Sequence, residues 1–313
     1  MRLAAHGSVR RRAVGIAVVA ALLGGVTACG TQAEGAAGAK PNATPAEAVA
    51  RAAERTADIF SLRYRVTGPL PEEGKVRAEA SMEVKPSVMG VELTGLGDGE
   101  DKPVEIRFVD GAMYTEGDTT VLGDTDGKRW IKAEPASWGG LCVDNASYGV
   151  LPRQLEGSPL VPSTVLTGAK DVEEAGTESA EGTSAIHYRG TVTNQGLKDA
   201  QSAAKDKETR GLRTRSRDQF MCLLLRVGST LTMDLWVDED GRAQQFRLRG
   251  RTSALDGEGC WVDTGPLDLT HTFLDADRPV TVERPAAEDT VDLAASADGA
   301  KAGLEAAPGT GFA

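Results

Sequence analysis

Apolar and polar residues alternate along most of this chain with a period of two. Val76, Ala78, Ala80, Met82 and Val84 interleave with Lys75, Arg77, Glu79, Ser81, Glu83 and Lys85. That spacing predicts a long strand with one buried face and one wet face. Shorter runs repeat it: Leu62, Tyr64, Val66; Met89, Val91, Leu93; Val104, Ile106, Phe108; Ile186, Tyr188, Val192; Leu231, Met233, Leu235, Val237; and Leu267, Leu269, His271, Phe273. Val280 and Val282 suggest a last short strand. Asp110-Gly111, Asp126-Gly127 and the Asp238 to Gly241 turn supply hairpin signals.

Helical spacing is rarer. Thr44-Pro45-Ala46-Glu47 is a capping box with Pro at the first helical position, and Val49, Ala52, Ala53, Thr56, Ile59 and Phe60 follow on one face. Residues 135–166 break the period and read as irregular with short helices. Residues 195–208 read as a polar helix, and 220–227 as an apolar block of undecided type. Roughly ten strands linked by tight turns, with few helices, predict an α+β fold. Its core is a large curved antiparallel sheet, a half-barrel, with helices covering the concave apolar face. Small residues at Ala78, Ala80 and Ala243 either open a groove or let a helix pack closely. Periodicity shows a buried face and does not separate the two.

The N-terminus changes the picture. Arg2 and Arg10, Arg11 and Arg12 precede an uncharged apolar stretch over 13–25, too short for a permanent span, that ends in Val26-Thr27-Ala28-Cys29. This resembles a signal peptide with a bacterial lipobox, in which Cys29 receives diacylglycerol and becomes the first mature residue. Residues 1–28 are thus expected to be removed, 29–43 to form an Ala- and Gly-rich tether, 44–284 to fold, and 285–313 to be a disordered acidic tail. Loss of the four leader arginines takes the net charge from −11 to −15. Such an acidic chain excludes nucleic acid as a partner.

Outside the cell, Cys142, Cys222 and Cys260 allow one bridge and a leftover thiol. Cys142–Cys222 is the preferred pair, because both sit in segments expected to cover the sheet. No pair has C-x-x-C spacing, and no cofactor or metal site is expected.

The Ala-rich helix over 46–57 running into 61–68, the stretch 104–114 with Val109-Asp110-Gly111, 128–132, 187–192 and Leu-Thr-Met-Asp-Leu-Trp-Val-Asp-Glu-Asp-Gly at 231–241 carry a resemblance when read in order after the lipobox. The chain resembles actinobacterial lipoproteins of the LppX/LprA/LprF/LprG group, relatives in fold of the LolA/LolB carriers. The resemblance implies a half-barrel whose hydrophobic cavity holds acyl chains. Its lining would come from Val76, Ala78, Ala80, Met82, Met89, Val91, Leu93, Ile106, Phe108, Leu231, Met233, Leu235, Leu269, His271 and Phe273. It implies a membrane-anchored extracytoplasmic protein that carries or presents a lipid or lipoglycan, with a membrane transporter as partner. The competing reading is a structural or regulatory envelope lipoprotein with a filled core.

Catalytic signals are weak. There is no G-x-S-x-G, H-E-x-x-H or P-loop. His271 lies on an apolar strand face and is expected to be a hydrogen-bonded core or lining residue. His187 lies opposite Ile186 and Tyr188 and is expected to face solvent. Asp98, Glu100, Asp101 and Asp238, Glu239, Asp240 lack calcium-loop spacing. Arg210, Arg213, Arg215 and Arg217 read as a solvated linker or, less often, a patch for anionic headgroups. An enzyme is not expected.

Overall fold

In the computed structural model, which describes residues 43–70, 74–86, 88–95, 103–116, 127–133, 162–228 and 230–292, the capping box at Thr44 forms. Glu47 N–H donates to Thr44 Oγ1 at 3.3 Å, and Thr44 N–H donates to Glu47 Oε2 at 2.8 Å. These bonds start helix α1 (Pro45–Ala57), which buries Val49, Ala52, Ala53 and Thr56 along one side.

The described strands all belong to one sheet. Its strands are β1 (Ser61–Leu70), β2 (Gly74–Glu83), β3 (Val88–Thr94), β4 (Val104–Val109), β5 (Ala112–Glu116), β6 (Trp130–Ala133), β7 (Glu173–Ala180), β8 (Thr183–Thr193), β9 (Thr230–Asp238), β10 (Ala243–Leu255), β11 (Trp261–Ala276) and β12 (Thr290–Asp292). The spatial order is β12-β6-β5-β4-β3-β2-β1-β11-β10-β9-β8-β7. All pairs are antiparallel except β12 on β6, and the sheet is curved and open. Asp110 and Gly111 turn β4 into β5 with φ of 54° and 74°, both left-handed, as a two-residue I′ hairpin requires.

A 3-10 helix (Pro162–Gly168), α2 (Asn194–Ala203) and α3 (Lys207–Val227) join α1 over the apolar face. A Cβ on Gly196 would overlap the Gly168 carbonyl, so glycine lets α2 start directly against the 3-10 helix. Along α3, Leu212, Ser216 and Phe220 are buried at four-residue spacing.

Several expectations need correction. The polar helix over 195–208 is α2 for most of its length; it ends at Ala203, and Lys207 and Glu208 already belong to α3. The block 220–227 continues α3, and the arginines from 210 to 217 are helical rather than a linker. Strand β7 was not foreseen. Val280 and Val282 form no strand; they pack beside Val88, Val109, Tyr114 and Trp130 on the outer face. Residues 277–289 make a strap across that face, held by Glu83 to Val280 N–H at 3.0 Å and by Arg107 Nη1 to the Glu283 carbonyl at 2.9 Å. The strap ends in β12, inside the segment expected to be a disordered tail.

Candidate functional site

Strand register sets the candidate site. Tyr188, Leu235, Phe246, His271, Val66, Ala78, Leu93 and Val104 form one cross-strand row from β8 to β4. A neighbouring row runs through Phe273, Tyr64, Ala80, Val91 and Ile106. Every residue expected to line a cavity is buried on this face. All of them except His271 join one apolar cluster with Val49 of α1, Leu166 of the 3-10 helix, Leu197 of α2 and Phe220 of α3. Each large member stabilises the fold by about 1.5–3 kcal/mol through burial.

A cavity of about 220 Å³, open to solvent at Ala46 and Ala203, lies in the helical cover. Ala46, Val49 and Ala50 of α1, Leu166, Thr167, Ala169 and Val172, and Ala200 and Ala203 of α2 wall it, and Arg213 adds a charge. A second cavity, about 420 Å³, opens on the other face of the sheet beneath the strap. Arg63, Glu79, Ser81, Glu92, Glu105 and Arg107 line it with Thr281 and Val282, so its chemistry is ionic rather than apolar. The strap creates it, and no periodicity in the strands could have announced it.

His271 is 2% exposed and stacks on Phe246 with ring centroids 4.3 Å apart. Neither ring nitrogen has a hydrogen-bond partner among the described residues, contrary to the expected hydrogen-bonded histidine. Burial pushes its pKa down to about 3, so the ring is neutral.

No family model matches the chain. An uncharacterised 31.2 kDa protein from the rplA–rplJ intergenic region of Streptomyces griseus is 30% identical over 205 residues, which cover 62% of this chain and 58% of that protein. This chain therefore spans less than two thirds of that relative's length. LprF from Mycobacterium bovis aligns over 77% of this chain and 97% of its own, with a TM-score of 0.44 and 13% identity. Lipoprotein LppX from Mycobacterium tuberculosis aligns over 76% and 98%, with a TM-score of 0.42 and 14% identity. Both are members of the group that the sequence resembles.

His187 is not solvent-facing as expected. It is 3% exposed, because the outward face is covered locally: its ring stacks on Trp236 at 4.3 Å. Its Nδ1 lies 3.1 Å from Glu178 Oε1 and its Nε2 2.8 Å from Asp234 Oδ1. With a carboxylate at each nitrogen, the ring is committed to structure. Asp234 also accepts from Arg189 Nε at 2.7 Å and Arg249 Nη2 at 2.6 Å. Burial pushes the Asp234 carboxyl up, but the hydrogen bonds from Arg189, His187 and Arg249 outweigh it and hold the group below the usual carboxylate range.

The α3 arginines also have structural work. Arg213 Nη1 donates to the Ala200 carbonyl at 2.6 Å, Arg210 Nη2 to the Ala204 carbonyl at 3.0 Å, and Arg217 Nη1 to Gln201 Oε1 at 2.7 Å. Two of these bonds satisfy carbonyls at the C-terminal end of α2, where cations are favoured. Cys260 is exposed and free. Cys142 lies outside the described residues, as does the side chain of Cys222, so their expected bridge does too. Cys29, Asp98, Glu100 and Asp101 also lie outside them. Among the described residues, no group of three His, Cys, Asp or Glu is placed to hold a metal.

Proposed function

We propose that this chain is an exported lipoprotein of the LppX/LprF kind, anchored through diacylglycerol on Cys29 at the outer face of the cytoplasmic membrane. In this reading it binds the acyl chains of a lipid or lipoglycan and carries or presents them at the cell envelope, with a membrane transporter as partner. Among the described residues no helix is long and apolar enough to cross a membrane.

The observation that carries the reading is the apolar cavity in the helical cover. Its walls join the same cluster as the sheet face, through Val49 and Leu166. At about 220 Å³ it is smaller than the ~300–1,000 Å³ of typical small-molecule sites. A long acyl chain therefore needs α1 or α2 to move off the 3-10 helix on which both pack. Their facing walls are largely alanine, which offers little buried area to oppose that opening.

Replacing Ala203, at the end of α2, by Trp tests this. The indole should occupy the cavity, so binding of a pyrene-labelled fatty acid should fall while the denaturation midpoint holds. Undiminished probe binding by a folded Ala203→Trp protein would contradict the assignment. One observation favours the filled-core alternative: the expected lining residues are already packed together, most of them under 5% exposed. In that case the parent protein takes up no probe at all.

A further inference from the structure

Most buried polar groups in the described fold have a visible purpose. Asp234 gathers two arginines and a histidine, Ser216 bonds the Leu212 carbonyl at 3.0 Å, and Thr56 bonds the Ala52 carbonyl at 2.8 Å. Ser61, Thr115 and Asn194 each leave one atom (Oγ, Oγ1 and Oδ1) without a partner among the described residues, and His271 leaves two. It stands near the middle of the cross-strand row, flanked by Val66 on β1 and Phe246 on β10, with both ring nitrogens unpartnered among the described residues. A phenylalanine would fill the same place without leaving two polar atoms dry. Burying a polar group without a partner is costly, and such groups in native proteins usually meet water or a ligand.

We propose that His271 is the polar recognition point of the acyl-binding face, hydrogen-bonding an oxygen of the bound lipid. This rests on the lipid-binding reading and narrows its ligand class to acyl chains that bring an oxygen into the sheet's interior, as a chain hydroxyl or as a carboxyl or ester group. The neutral imidazole suits this role, because it presents one N–H donor and one bare nitrogen acceptor and can serve a hydroxyl or a carbonyl equally. The stack on Phe246, 9° from parallel, fixes the ring's plane and so the direction in which its nitrogens point. Val66 beside it, and Leu235 and Ala78 one strand further out in the same row, would hold the hydrocarbon on either side.

The test is displacement of a pyrene-labelled fatty acid from the mature, full-length protein by three competitors: octadecane, stearate and 12-hydroxystearate. Wild-type protein should favour an oxygen-bearing competitor over octadecane; stearate ahead points to a carboxyl at His271, and 12-hydroxystearate ahead points to a chain hydroxyl. His271→Phe keeps the stack and removes both nitrogens, and is expected to fold because an apolar group of like shape replaces an unsatisfied one. It should lose roughly three- to ten-fold of that preference while its response to octadecane stays the same. His271→Gln, which keeps a donor and an acceptor, should restore part of it. The imidazole ¹⁵N resonances of His271 should move when the favoured competitor binds. Equal preference in wild type and His271→Phe, or unmoved ¹⁵N resonances in a protein that does bind lipid, would overturn the assignment and leave the lipid-binding reading standing. Failure of wild-type protein to bind the pyrene probe would overturn both.

Discussion

His187 Nε2 and Asp234 Oδ1 lie 2.8 Å apart across β8 and β9, on the face of the sheet turned away from its apolar core. The pair sits at the centre of a cluster, because Arg189 and Arg249 close on the same carboxylate from β8 and β10. The Asp234 side chain is 2% exposed, whereas those of Arg189 and Arg249 are 43% and 34% exposed. Asp234→Ala should therefore cost about 2–3 kcal/mol in denaturant unfolding, less than a fully buried pair because the arginines regain water. The sign with pH follows from the depressed carboxyl. Its contribution is present above the unfolded pKa of about 3.9 and is lost as pH falls through the lower folded value. The gap between wild type and Asp234→Asn should thus close at strongly acidic pH. A gap that widens there would contradict the network.

This network marks the limit of what the sequence reveals. Alternation placed the β1–β4 and β8–β11 apolar faces well, because one-sided burial imposes a period of two wherever a strand has a wet face. It also put His187 on the outward side, which is right. It could not show that Trp236 and Glu178 cover that side locally, since such contacts join different strands. β7 escaped notice for a related reason. Glu173–Ala180 is an edge strand with mostly exposed positions, so pairing with β8 rather than patterning defines it. α3 reads from the sequence as three pieces, the end of the 195–208 helix, an arginine linker and the 220–227 block, because an arginine-rich half precedes an apolar half. Its unity lies in the Leu212, Ser216 and Phe220 stripe, where a serine interrupts the apolar signal. At the candidate site, the shared face was legible, but the unpartnered state of His271 and the cavity in the cover depend on tertiary packing.

The α2 terminus yields a second prediction. Arg213→Ala removes the bond to the Ala200 carbonyl and a cation from the negative end of the helix. The expected cost is about 1 kcal/mol, with faster amide hydrogen exchange concentrated in α2. If anionic headgroup binding were the arginine's role instead, α2 exchange would be unchanged.

Acid should weaken the fold through His271 over a higher range than through Asp234. The folded pKa near 3 lies below the ordinary 6.5, so the unfolded chain binds the extra proton between these values. Stability is complete above about pH 6.5 and declines by up to ~1.4 kcal/mol per unit as pH drops toward 3. Unfolding curves of His271→Phe should lose this share of the slope. Identical slopes in the two proteins would place the ring in a wetter setting.

Ala80 tests how full the sheet face is. It lies between Tyr64 and Val91 in register and is 6% exposed. Ala80→Trp in a filled core should destabilise by ~1–3 kcal/mol or more. If the cover yields to ligand, the indole takes the ligand's place, so the denaturation midpoint moves little and acyl-probe binding falls.

The central claim, that an acyl lipid is bound in the helical cover and on the sheet face beneath it, meets its most direct test in native mass spectrometry of the protein freed of its N-terminal anchor after export in an actinobacterial host. The account predicts an added mass that fragments to an acyl lipid, diminished when Ala203→Trp fills the cavity. Repeated recovery of bare protein that takes up no added lipid would contradict it.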